Sequence, residues 1–335
     1  MERASLRKAM LVSVVVATRN RPELLRATLL ALKTQTHQAL EVIVLDDGSS
    51  SDTRAQYASL WRDLDERFHL VQQGQDGQRG QGPSASRNQA IQHTQGQLVA
   101  FCDDDDIWID NEHLARAVAA FGSHPELDLY ISNQRAVYPD ASVREDWLPR
   151  LTARRADMPA LAEGCHRVTV EQLSQCGGFA HLNMLLLRRT LLLDVGGFWE
   201  GVNYEEDRDL FWRCVDRARV MAYCPRVTAQ HHVPDRGKQN NVSMTVPPTD
   251  RWLMAAMVCR HIAMSVSSPY IVKLSLQHEG DLLRHLSEHS SQNGRHPTAR
   301  LLAWQALGAK FTWKWALYCV WLQARSLTSL FLPSR

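Results

Sequence analysis

Residues 99–108 read VAFCDDDDIW: a short apolar run that ends, without transition, in four consecutive carboxylates, Asp103 to Asp106. Adjacent like charges repel, and those nearest the apolar segment lose part of the water that would screen them. A compensating positive charge is expected beside them. The plainest reading of such a run is a solvated acidic loop, so the rest of the chain has to decide between a loop and a site.

Upstream, strand and helix signals alternate. "VSVVVAT", "EVIVLDD", "FHLVQQ" and "QLVAFCD" are apolar runs of strand length, and helices are expected between them over residues 22–34, 51–67 and 83–94. Continuous apolar strands alternating with helices mean an α/β fold, a mostly parallel sheet flanked by helices. Ligands in such sheets bind beyond the carboxyl ends of the strands. That is where the polar clusters begin: "ATRNRPE" after the first strand, "DDGSSSD" after the second and "DDDDIW" after the fourth. Three strand ends converging on one edge outweigh the loop reading.

With 335 residues, 44% of them hydrophobic, the chain can build a main domain and an appendage. Lys plus Arg number 38 against 36 for Asp plus Glu, which excludes the basic signature of a nucleic-acid binder. The charge is uneven. From Arg251 onward there are ten Lys/Arg and three Asp/Glu, about +7, and five of the ten tryptophans: Trp252, Trp304, Trp313, Trp315 and Trp321. The main α/β domain is expected over residues 1–250 and a helical C-terminal extension over 251–335. The last helix, Leu301 to Leu332, carries a narrow basic stripe of Lys310, Lys314 and Arg325, and reads either as a core-packing helix or as one lying on a membrane surface.

Seven scattered cysteines with no C-x-x-C pair fit a reduced, cytoplasmic protein. The N-terminus, "MERASLRKAMLVSVVVATRN", has the basic start of a signal peptide, but "ATRNRPE" makes a poor cleavage region and the apolar run fits a buried strand. No stretch approaches the ~20 uninterrupted apolar residues of a membrane-spanning helix.

Several side chains carry chemistry. Asp103 and Asp105, at alternate positions, can offer carboxylates to one hard divalent cation, which would balance the repulsion and bridge to a diphosphate. Asp46 and Asp47 can accept hydrogen bonds from a base or ribose, or else help start the next helix. Arg87 lies in the first turns of a helix, suited to approach a nucleotide from the side, with Asn88 placed to hold neighbouring loops; a lone arginine is otherwise a surface residue. Glu205, Glu206, Asp207 and Asp209 surround a helix start. The helix dipole accounts for one or two of them, and a positioned one can serve as general base. His231 and His232 sit on a loop near Lys238. Adjacent histidines on extended chain point different ways, so at most one is a ligand.

Together the segments "VSVVVATRNRPELLRATLLAL", "EVIVLDDGSSSDT", "GPSASRNQAI", "LVAFCDDDDIW", "DVGGFWE" and "EEDRDLFWRC" resemble glycosyltransferase family 2, the inverting nucleotide-diphospho-sugar transferases of the GT-A (Rossmann-like) fold, over about residues 11–245. The resemblance implies a nucleotide-binding half at 11–125 and an acceptor and catalytic half at 126–250. It implies nucleotide contacts from the loop Ala17, Thr18, Arg19 and Asn20, and from Glu23, Asp46, Asp47, Arg87, Asp103 and Asp104. Asp103 to Asp105 become the D-x-D region, with Asp105 as first metal ligand beside Asp103. In the pair Glu206 and Asp207, Asp207 becomes the base. His232, or else His231, becomes the histidine that assists the metal and diphosphate. The implied cofactor is Mn2+ or Mg2+, the donor a UDP-sugar, and the acceptor a glycan or lipid-linked hydroxyl in bacterial surface polysaccharide or lipopolysaccharide synthesis. The tail after about residue 250 lies outside the matched segments, and a peripheral position at the inner membrane face through the C-terminal helices is suggested by its basic, Trp-rich composition alone. The chain departs from the family at Arg19, where an aromatic residue is common.

Two rivals remain. A sugar nucleotidyltransferase shares a similar sheet but normally has a Gly-rich basic loop that "ATRNRPELL" lacks. A non-catalytic nucleotide- or sugar-binding protein could keep the fold, although the acidic residues are intact at both the metal and base positions.

Overall fold

The computed structural model describes residues 10–74, 80–235 and 246–331; Lys238 and Leu332 lie outside them. β1 (Val12–Thr18) is buried on both faces, and its side chains alternate between two cores. Val14 and Val16 pack with Leu25, Leu29 and Leu32 of α1 (Pro22–Lys33), whereas Val15 packs with Ala90 and Ile91 across the sheet. β2 (Leu40–Asp46) and β3 (Phe68–Gln72) extend this parallel sheet on one side. Between them α2 (Ser51–Leu60) starts at Ser50, whose side chain accepts a hydrogen bond from the Thr53 N–H. The expected helix to residue 67 stops at Leu60. A 3-10 turn at Trp61–Asp63 follows, and Asp65 then pairs with Arg67 to turn the chain into β3. α3 (Pro83–Gln92) leads to β4 (Leu98–Phe101), parallel to β1 on its other side.

β5 (Ile107–Trp108) and α4 (His113–Ser123) follow the acidic run. Residues 126–181 contain β6 (Leu127–Val137), β7 (Val143–Arg144), α5 (Pro149–Ala153), β8 (His166–Val168) and α6 (Val170–Ser174). β9 (Leu185–Arg188), α7 (Arg189–Asp194), α8 (Glu206–Arg217) and β10 (Val220–His232) complete the sheet.

The strand order is β3-β2-β1-β4-β9-β6-β10-β5, with β7 on β6 and β8 on β10. The fold class is the expected α/β. β1 to β4 form the parallel part, while β9 inserts antiparallel between β4 and β6, so the second half of the sheet is mixed.

Four helices end the chain: α9 (Pro248–Ser265), α10 (Pro269–Gln292), α11 (His296–Ala309) and α12 (Trp313–Phe331). Val258, Ile262 and Ile271 join the core of the sheet, whereas Ala255, Cys259, Leu286, Ala303, Trp315 and Cys319 form a core of their own. The single helix expected over 301–332 is broken. Lys310 is extended at the break and donates to Asp281 at 2.8 Å, so it leaves the stripe that Lys314 and Arg325 were expected to share with it. Among the described residues no helix is long and apolar enough to cross a membrane.

Candidate active site

The carboxyl ends of β1, β2 and β4, the end of β10 and the start of α8 border one cavity of about 1220 Å3. Ala17, Thr18, Arg19, Asn20, Asp47, Arg87, Asp103, Asp104, Asp105, Glu206, Asp207, His231 and His232 all line it. Glu23 does not: it is exposed on the first turn of α1. Asp46 lies behind the wall, fully buried, accepting from the Ser49 N–H at 2.9 Å and from Arg54 at 3.2 Å. Its carboxylate shapes the turn.

Every carboxylate of the acidic run has a cationic or polar partner, with Arg21 shared by two of them. Arg87 Nη2 donates to Asp103 at 2.6 Å, and Arg21 Nη1 donates to Asp104 at 2.9 Å and to Asp105 at 3.2 Å. Asp106 meets His231 Nδ1 at 2.9 Å, the His232 backbone N–H at 2.8 Å and the Asn183 amide. The positive charge that the sequence demanded is thus supplied first by protein side chains. Burial would raise the Asp103 pKa, but Arg87 and His181 outweigh it and hold the carboxyl low. Burial prevails at Asp104, which is raised despite Arg21 and Thr18. At Asp105, burial and repulsion from Asp104, Asp106 and Asp103 push the carboxyl up to about 7. This group has the least compensation. Burial alone would depress His231, yet Asp106, Asp103 and Asp105 raise it to about 9, so it counts among the balancing charges until a bound cation takes the place of its proton.

The loops after the first two strands are laced together. Thr18 Oγ1 donates to Asp104 at 2.7 Å, Asn20 N–H donates to Ser49 Oγ at 2.8 Å, and Ser50 N–H donates to Asn20 Oδ1 at 2.9 Å. Asn20 adopts φ 54°, one of the few non-glycine residues that tolerate that region. The Asp47 carboxylate accepts from the backbone N–H groups of Gln81 and Gly82 at 2.8 and 2.9 Å. Gly80 packs so closely on it that a Cβ there would lie 2.3 Å from an Asp47 oxygen.

Arg87 also bonds Glu206 at 2.8 Å and lies over the Phe198 ring, 5.4 Å from its centroid. Asn88 accepts from the Phe198 N–H at 2.7 Å and donates to its carbonyl at 2.9 Å, so this dipeptide joins α3 to the loop before α8. α8 is entered from Glu205, held at φ 59°. Burial, with repulsion from Asp207, keeps the Glu206 pKa raised even against Arg87. Asp207 Oδ2 lies 3.6 Å from His181 Nε2. Two residues on, buried Asp209 binds Arg213 at 2.8 Å and His261 of α9 at 2.7 Å, linking the helical extension to α8.

The histidines end β10 and are not on a free loop. His232 Nδ1 donates to the Asp105 carbonyl at 2.6 Å, which leaves Nε2 to accept from Gln230 at 2.8 Å. Both ring nitrogens are engaged, whereas His231 points at Asp106. Of the two, the geometry favours His231 as a metal ligand, reversing the expected preference for His232. Ligand atoms of Asp106, His181 and His231 lie within 4.8 Å of one another, and this mixed nitrogen and carboxylate set suits a divalent transition cation. Asp103 and Asp105 line the same cavity but are engaged by arginines.

Sequence reasoning missed Arg21, Asp106, His181 and Asn183. Arg21 was the most accessible of them: four carboxylates after one strand call for a cation from the loop after the adjacent strand, and two arginines stand there. His181 and Asn183 lie in "AHLNM", where nothing local marks them.

The fold has clear relatives among known structures. S. aureus TarS 1–349, crystallised with UDP-GlcNAc, superposes with a TM-score of 0.60 at 20% identity, over 90% of this chain and 81% of that one. The mannosyltransferase PcManGT of Pyrobaculum calidifontis, in complex with GDP-Man and Mn2+, gives 0.57 at 20% identity over 94% and 80%. These likenesses define the class as a GT-A-type α/β fold. Residues 13–168 match the family described as glycosyl transferase family 2. The GalNAc(5)-diNAcBac-PP-undecaprenol beta-1,3-glucosyltransferase of Campylobacter jejuni is 36% identical over 95 residues, 28% of this chain and 29% of that protein. The chain matches between 29% and 38% of the length of such curated relatives.

Proposed function

We propose that the protein is an inverting, metal-dependent glycosyltransferase that moves a sugar from a nucleotide-diphosphate donor, a UDP-sugar, to a hydroxyl of a glycan or lipid-linked acceptor. One observation carries this reading: a single cavity brings together the acidic run with its paired cations and the carboxylate of Asp207 at the start of α8. The family match over residues 13–168 supports it, as do the UDP-GlcNAc named with TarS and the undecaprenol-linked substrate named for the Campylobacter enzyme. The setting proposed with it is bacterial surface polysaccharide or lipopolysaccharide synthesis.

In this reading the lacing of Thr18, Asn20 and Asp47 shapes the nucleotide end. Arg21 and Arg87 stand where a diphosphate can share them with the aspartates. Asp207 accepts the proton of the acceptor hydroxyl, held by His181 beside it. The acceptor oxygen attacks the anomeric carbon from the face opposite the diphosphate, the bond from that carbon to the phosphate oxygen breaks, and the nucleoside diphosphate departs with the electron pair. Configuration inverts and no covalent enzyme intermediate forms. Asp106, His181 and His231, with Asp105 and Asp103 beside them, are the residues that would hold a Mn2+ or Mg2+ ion. Such an ion supplies neutralisation of charge on the leaving diphosphate.

Calorimetric titration with UDP, GDP and dTDP, with and without manganese, tests the donor end. Metal-dependent binding of UDP, weakened in Asp105→Asn, is the expected result. Failure of all three to bind would return the protein to a non-catalytic role.

A further inference from the structure

The last two helices carry a surface that sugar transfer does not use. Of the sixteen large hydrophobic side chains exposed on the described residues, seven fall between Leu301 and Trp321. They include all three exposed tryptophans: Trp304, Trp313 and Trp321 are 48, 77 and 50% exposed. On α12 the inward face is Trp315, Cys319 and Leu322, which complete the helical core. Its outward face is Trp313, Leu317, Val320 and Trp321, flanked by exposed Lys314 and Arg325. At the corner between α11 and α12, Phe311 and Trp313 meet edge to face with centroids 5.1 Å apart.

The charge around this face is of one sign. After Glu288 the remaining 47 residues contain six Lys/Arg and no Asp or Glu. The Arg325 guanidinium lies over the Trp321 ring at 5.5 Å. Two copies of such a face would bring like charges together, whereas an anionic surface carries the opposite sign. Indole rings beside Lys and Arg on the outward side of a helix suit the headgroup region of a bilayer, with the apolar ring edge inward and the N–H and cations in water. No described helix is long and apolar enough to cross a membrane.

We infer that the outward face of α11 and α12 docks the protein on an anionic phospholipid surface. The inference stands apart from the sugar-transfer reading, because it uses no residue of the cavity.

The test is co-sedimentation of the full chain with vesicles of phosphatidylcholine alone and of phosphatidylcholine with 30% phosphatidylglycerol, in low and high salt. Expected is binding to the anionic vesicles that weakens with salt. It should fall on the order of tenfold or more in Lys314→Glu/Arg325→Glu, two charges that each contribute at the surface, and comparably in Trp313→Ser/Trp321→Ser. Far-UV circular dichroism and nucleotide binding serve as folding controls for both variants. The inference is overturned if wild type does not bind anionic vesicles, or if the correctly folded variants bind as well as wild type. It is equally overturned if sedimentation velocity shows a dimer that Trp313→Ser/Trp321→Ser dissolves, since a second copy would then cover the face.

Discussion

Arg87 stands between two carboxylates from distant parts of the chain, and Arg87→Met removes its charge while keeping most of its volume. Asp103 and Glu206 would lose the cation each now holds at 2.6 and 2.8 Å, with side chains only 20 and 13% exposed. Breaking a buried pair by removing one partner costs about 3–5 kcal/mol, because a charge is left uncompensated. The two pairs share one arginine, and protonation caps the loss, so that range applies to the substitution as a whole. The pH dependence has a definite sign. With Arg87 present, Asp103 is held low while burial already keeps Glu206 raised. Without it, both carboxyls would sit above their unfolded values of about 4. The folded variant would then hold protons that the unfolded chain has released, so its stability falls as pH rises from about 4 towards the raised values. Urea unfolding at pH 5 and pH 8 reads this out: the deficit against wild type should be larger at pH 8, and Arg87→Met/Glu206→Gln should recover part of it. A deficit below about 1 kcal/mol at pH 8, or an equal deficit at both pH values, would refute the reasoning.

Other expectations are simpler to state. Asp207→Asn should abolish transfer in a donor-consumption assay while nucleotide titrations remain unchanged; turnover equal to wild type would remove Asp207 as the base. Asp105, with its carboxyl pushed up to about 7, destabilises the fold increasingly as pH rises from about 4 to about 7. In chelator, Asp105→Asn should therefore be more stable than wild type, by a margin about 2 kcal/mol greater at pH 8 than at pH 5, and the same margin at both would contradict the assignment. Gly197 has φ +69° and a Cβ there would lie 2.5 Å from Asn88 Oδ1. Gly197→Ala should cost roughly 1–3 kcal/mol, read from the urea midpoint, and a neutral result would mean that the Asn88 clamp yields freely.

The first four strands and the helices between them were legible because each strand is apolar throughout and each polar cluster starts where a strand stops. Pro22 and Pro83 marked the starts of α1 and α3. β6 was not legible: its second half, Ser132 to Arg135, is polar, and Ser132, Asn133 and Gln134 are nevertheless buried. Asn133 bonds Asp146 at 2.7 Å and Ser132 meets Thr228 at 2.8 Å, partners set by tertiary structure alone. The acidic run announced a site, but not who would balance it. That answer depends on Arg21 and His231, 82 residues before Asp103 and 125 after Asp106. Nor could adjacent histidines be told apart before the carbonyl of Asp105 and the amide of Gln230 fixed the ring of the second.

The insertion of β9 between β4 and β6 bears on how the chain is made. β4 ends at Phe101 and β9 at Arg188, roughly 90 residues later. At synthesis rates of about 5–20 residues per second, β4 spends about 4–17 s outside the ribosome with β1 on one side and an open edge on the other. An open edge invites pairing with a neighbouring nascent chain. The four aspartates emerge directly after that edge, and a cluster of like charge repels a second copy of itself. During those seconds they act as a gatekeeper. Neutralising two of them, as in Asp104→Asn/Asp105→Asn, should increase aggregation during cell-free synthesis at high polysome density even where the finished protein is more stable.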